Sequence, residues 1–136
     1  MYKRQEAKTA SGFAYAKSDI TDANFKQVVG QGIVGAEAVL VNFGEFVESP
    51  DAVSRLKKMG LRAGVPKELA DLSKAHPDSR ELATCLPIVA LGDSWEDPDG
   101  FRLVVCLYGV ALSRELQLYL WGYGWYDFWW FLAFRK

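Results

Sequence analysis

The chain has 136 residues, half of them apolar and about a quarter charged, which is the composition of one folded domain and excludes a disordered chain. Sixteen basic against seventeen acidic residues leave a formal net charge of −1, so the clustered basic surface of a nucleic-acid binder is not expected. The two cysteines, Cys85 and Cys106, lack the spacing of a zinc site and are read as buried free thiols.

Met1-Tyr2-Lys3-Arg4-Gln5 is polar and no apolar run follows it, so no signal peptide is read. The pentapeptide is also the translation of GTG followed by TAT-AAG-AGA-CAG, the end of a common transposon sequencing adaptor. It is expected to be a scar of assembly from environmental DNA, which leaves the native N-terminus and the compartment open. Residues 6–35 are weakly patterned, and Asp22–Val29 permits a short helix with Phe25, Val28 and Val29 on one side. The remainder, residues 37–136, reads as a single α+β domain.

In that domain Glu37–Phe46 alternates, putting Val39, Val41 and Phe43 on one face of a strand. Ser49-Pro50-Asp51 predicts a helix start with Ser49 as the cap, Val53, Leu56 and Met59 supply an apolar stripe, and Gly60 ends the helix. Pro66 opens a second helix with Leu69 and Leu72 inward, and His76-Pro77 stops it. After Leu86 the period changes to two, and a mainly antiparallel sheet of four strands is expected at Leu86–Trp95, Phe101–Val110, Arg114–Trp121 and Trp125–Arg135. Glu96-Asp97-Pro98-Asp99-Gly100 makes the first turn, and Gly122–Gly124 closes a hairpin between the last two strands.

Ten of the sixteen residues from Tyr119 to Phe134 are aromatic. In the last strand Trp125, Trp129, Phe131 and Ala133 alternate with Tyr126, Phe128, Trp130 and Phe134, so both faces are apolar. An edge strand is ordinarily blunted by charge, so this strand either lies inside the sheet or offers one face as a binding surface. Residues 116–134 are long enough to cross a membrane, but Asp127 lies within them, aromatic rings fill their middle, and the glycines favour a turn. No membrane span is expected.

Chemistry-bearing residues are sparse. His76 is the only histidine, which excludes a histidine pair, and its place before Pro77 suits an exposed helix end. Glu96, Asp97 and Asp99 resemble a calcium loop, but turn formation accounts for them. Gly30-Gln31-Gly32-Ile33-Val34-Gly35 matches the dinucleotide fingerprint without a strand before it. No catalytic residue, metal ligand or cofactor is assigned, and the chain is not read as an enzyme. What stands out is the tail, where Trp125, Phe131 and Ala133 with Leu116 and Leu118 are read as scaffold. The rings of Tyr119, Trp121, Tyr123, Tyr126, Phe128 and Trp129 are either displayed or part of a crowded core.

The stretch Phe43–Leu72, with its helix, Gly60-Leu61-Arg62, Pro66 and Glu68-Leu69, resembles the opening of C-type-lectin-like domains of the formylglycine-generating-enzyme type. There a helix ending in glycine precedes Arg-Leu-Pro-Thr-x-x-Glu; here Ala63-Gly64-Val65-Pro66 replaces the middle of that motif. Pro87-Ile88-Val89-Ala90-Leu91-Gly92, Trp95 and the ending Phe131–Lys136 look like a group of short bacterial proteins that keep this frame and vary between its fixed points. Such a pattern is similar to the variable proteins of diversity-generating retroelements. The resemblance implies a C-type-lectin-like fold and binding of a protein or surface glycan through Tyr108, Tyr119, Trp121, Tyr123, Tyr126, Phe128 and Trp129. It carries over no oxidase activity, because Cys85 and Cys106 do not form the enzyme motif. A structural or self-associating protein remains the alternative.

Overall fold

The computed structural model describes residues 15–16, 38–77, 79–110 and 113–136. The helix expected at Asp22–Val29, the glycine fingerprint and the five N-terminal residues lie outside these described residues. Three strands form an antiparallel meander: β4 (Ile88–Glu96), β5 (Arg102–Val110) and β6 (Ser113–Leu120). Earlier in the chain come β1 (Tyr15–Ala16), β2 (Ala38–Val41) and β3 (Leu61–Ala63); β7 (Trp130–Arg135) ends it. Six strands run in the order β1-β6-β5-β4-β7-β2, and β3 joins β7 as a seventh.

The architecture is therefore α+β, as the periodicity indicated, but the sheet is mixed. β1 runs parallel to β6, and β4 runs parallel to β7. The sheet also draws on Tyr15–Ala16, ahead of the stretch expected to form the domain.

β7 lies inside the sheet. It pairs with β2 at Val39↔Ala133 and Val41↔Phe131, with β3 at Arg62↔Phe134, and with β4 at Val89↔Phe131. This placement explains a strand that is apolar on both faces. Along β7, Phe131 and Ala133 enter one core while Leu132 and Phe134 enter the other. The same alternation divides Val104 and Cys106 from Val105 and Leu107 on β5, as a period of two requires.

The hairpin expected around Gly122–Gly124 does not form. β6 pairs with β5 and β1, so it offers no edge to β7. Trp121–Tyr123 is a 3₁₀ turn, and Gly124 at φ +79° takes a conformation that disfavours a side chain. The strand expected from Trp125 thus begins five residues later, at Trp130.

One core is covered by α2 (Pro66–Ala75) through Leu69 and Leu72, and by the short α3 (Arg80–Thr84) through Leu82. The opposite core takes α1 (Ser49–Lys58) through Ala52 and Leu56. Pro50 and Pro66 lie at the predicted helix starts, and Gly60 ends α1 at φ +80°. Two details of α1 differ from expectation. Met59 is 53% exposed, because Ala52 and Leu56, one turn apart, form the buried stripe. Ser49 does not cap the helix; Glu48 occupies that position, and Ser49 is turned inward and buried.

α2 begins with a carboxylate clamp. The buried Glu68 accepts two hydrogen bonds from Arg62, at 2.9 and 2.6 Å, and a third from the Val65 backbone N–H at 3.0 Å. The Glu68 carboxylate holds the Arg62 guanidinium pKa above its ordinary value, and Arg62 also lies 4.9 Å from the Phe134 ring centroid. The Asp97 carboxylate is occupied within its turn, where Oδ1 accepts from the N–H groups of Asp99 and Phe101. These bonds favour the turn reading of the Glu96–Gly100 segment.

Both cysteines are free; Cys106 is buried and Cys85 half-buried. Burial pushes the Cys106 thiol pKa well up, which suppresses the reactive thiolate. Cys85 is therefore expected to react with Ellman's reagent at pH 8 in the native protein, and Cys106 only after unfolding. Thiol counting against time with and without guanidinium checks this; fast native reaction of both cysteines contradicts the packing.

Candidate functional site

The connection between β6 and β7 carries the aromatic run and is fastened along its length. Val47 and Trp125 form an isolated antiparallel bridge, with N–H···O distances of 2.9 and 2.8 Å. The Ser49 hydroxyl donates to the Trp121 carbonyl at 2.7 Å and accepts from Trp125 Nε1 at 2.8 Å. Asn42 Nδ2 donates to the carbonyls of Asp127 at 2.8 Å and Trp129 at 2.9 Å. Trp130 N donates to the Pro87 carbonyl at 3.0 Å. A connection held at so many points presents its side chains in fixed positions, which lowers the ordering cost of binding.

The rings divide into three groups. Trp125 and Trp129 are buried, meeting edge to face at 4.7 Å between ring centroids, and Trp125 also meets Phe131 at 6.3 Å. Tyr108, Tyr119 and Trp121 are half-buried at the margin of this cluster. Tyr119 touches Tyr123, Trp125 and Trp129, and Tyr108 meets Trp129 edge-on at 5.6 Å. Tyr123, Tyr126 and Phe128 are 64%, 60% and 55% exposed. Tyr126 and Phe128 have ring planes 16° apart, with centroids 6.4 Å apart.

Six of the seven predicted residues thus retain exposed or half-buried rings, and the seventh does not. Trp129 is 2% exposed and enclosed by Tyr108, Tyr119, Trp125 and Phe128, so it supports the surface from beneath. Phe46 joins the exposed group unforeseen, 5.2 Å from Tyr126. Nothing in the Gly44-Glu45-Phe46 sequence points to a ring eighty residues away, and the meeting depends on the Val47–Trp125 bridge.

The local electrostatics are modest. Arg55 bridges Glu45 and Asp51 beside Phe43, and the hydrogen bond it donates to the Glu45 carboxylate is the main cause of its raised pKa. Desolvation pushes the Tyr108 hydroxyl up to about 12. Among the described residues no group of three histidine, cysteine or carboxylate side chains is placed to hold a metal ion. No helix among them is long and apolar enough to cross a membrane. The arrangement is suited to stacking against apolar or ring-shaped ligand surfaces, with tyrosine hydroxyls at its margin. Compared with known protein families, curated proteins and solved structures, the chain matches none.

Proposed function

We propose that this protein is a ligand-binding module of C-type-lectin-like architecture rather than an enzyme, displaying a diversified aromatic surface to a protein or surface glycan. The observation that carries the proposal is the coexistence of a fastened backbone with outward rings. Tyr123, Tyr126 and Phe128, joined by Phe46, are exposed on a connection whose carbonyls are bound by Asn42 and Ser49. Contiguous exposed rings are unusual on a protein that meets no partner. Further support comes from Arg62 and Glu68, which stand six residues apart, the spacing of Arg and Glu in the motif of the resembled family.

A site built for diversification tolerates change at its displayed positions. A surface-displayed library randomised at Tyr123, Tyr126 and Phe128 is expected to leave most members resistant to protease, with a randomised Trp125 and Trp129 library mostly digested. Equal sensitivity of the two libraries sinks the reading. At the source locus, a reverse transcriptase gene with a template repeat differing at adenines supports diversification, and an intact locus without one contradicts it.

A further inference from the structure

The described residues enclose a second feature, a cleft of about 610 Å³ between α1, β3, β4 and the Trp121 turn. Lys57, Arg62, Arg102 and Lys136 line it, and no acidic residue does. Leu61, Leu91 and Trp121 give it an apolar wall. Its volume falls within the roughly 300–1,000 Å³ typical of small-molecule sites.

The four cations are not equivalent. Arg62 is committed to Glu68 through two hydrogen bonds. Arg102 makes no ion pair with a carboxylate among the described residues. Its Nε donates to the Ser94 hydroxyl at 2.9 Å, and its guanidinium carbon lies 3.7 Å from the Trp121 ring centroid. Stacking on an indole orients the guanidinium while leaving its terminal N–H groups available for a bidentate anion. Lys57 is exposed and likewise makes no ion pair among the described residues.

We propose that this cleft binds a small organic anion, a carboxylate or phosphate monoester carried on an aromatic or apolar body. The anionic head meets Arg102 and Lys57, and the body lies along Leu61, Leu91 and Trp121. The cleft shares Trp121 with the margin of the aromatic cluster but takes in none of the exposed rings of Tyr123, Tyr126 and Phe128, so variants of those rings separate the two assignments.

Calorimetric titration of the whole chain with 2-naphthoate, 2-naphthyl phosphate, neutral 2-naphthamide and inorganic phosphate tests the proposal. Saturable binding of at least one naphthyl anion is expected, with the amide and inorganic phosphate each at least about tenfold weaker. The tighter of the two anions identifies the preferred head group. Arg102→Gln and Lys57→Gln are each expected to weaken binding at least about fivefold without moving the urea midpoint, and Y126A/F128A to leave affinity unchanged. No saturation by either anion at about 10 mM, equal binding of the amide, or full affinity in both glutamine variants overturns the assignment. So does loss of binding in Y126A/F128A, which places the anion on the other surface.

Discussion

Trp125→Ala is expected to lower stability by about 3–5 kcal/mol, a large part of the roughly 5–15 kcal/mol available to a domain of this size. Trp125 is fully buried among Tyr119, Trp129 and Phe131, so its removal leaves a cavity lined by those three rings. The loss extends beyond packing. Trp125 Nε1 donates to Ser49 Oγ, and the Ser49 hydroxyl in turn donates to the Trp121 carbonyl, so one indole helps fix both α1 and the aromatic connection. Trp125→Phe retains much of the apolar contact and removes the donor with part of the ring volume, for an expected loss of about 1–3 kcal/mol. Equilibrium unfolding in urea, followed by far-ultraviolet circular dichroism, measures both variants. An alanine variant within 1 kcal/mol of the parent, on the scale of a surface substitution, contradicts the burial of this ring.

Glu68→Ala is expected to cost about 3 kcal/mol, the lower end of the range for breaking a buried ion pair, because Arg62 remains partly solvated. The substitution strands a guanidinium and leaves the Val65 N–H at the start of α2 without its acceptor. Glu68→Gln keeps one acceptor oxygen and should lose less. The double variant R62M/E68L should recover part of the loss of Glu68→Ala, since two apolar side chains need no partner. Urea midpoints of the three variants check the order. Equal stability of Glu68→Ala and the parent rejects the clamp as a stabilising element.

The elements written in local chemistry were legible in the sequence. Pro50 and Pro66 start helices, Gly60 ends one, and period two marks β4 to β6. The two-faced apolarity of the last strand correctly indicated a place inside the sheet. Its partners were not legible. The Trp-Gly-Tyr-Gly-Trp stretch carries the local signal of a hairpin, whereas the neighbours of β7 are chosen by β2, β3 and β4, far away in sequence. α3 is only five residues long, too short to reveal a helical period.

Within the candidate site, the alternation that grouped Trp129 with Trp125 and Phe131 already described a core face, and that grouping holds. Assigning Trp129 to the ligand surface went against its own periodicity. Asn42 and Ser49 gave no warning, because a polar side chain that binds a backbone carbonyl seventy or more residues away leaves no pattern. Phe46 was invisible for the same reason.

The division of the aromatic run into buried and displayed rings is tested most directly by the stability of one variant, Y123A/Y126A/F128A, measured by urea unfolding beside the parent. Rings this exposed should cost little to remove, so the expected loss is at most about 1.5 kcal/mol for the three together, with an unchanged m-value. A loss of about 5 kcal/mol or more, the scale of emptying several core positions, would show that the three rings are core and that this face is not a binding surface.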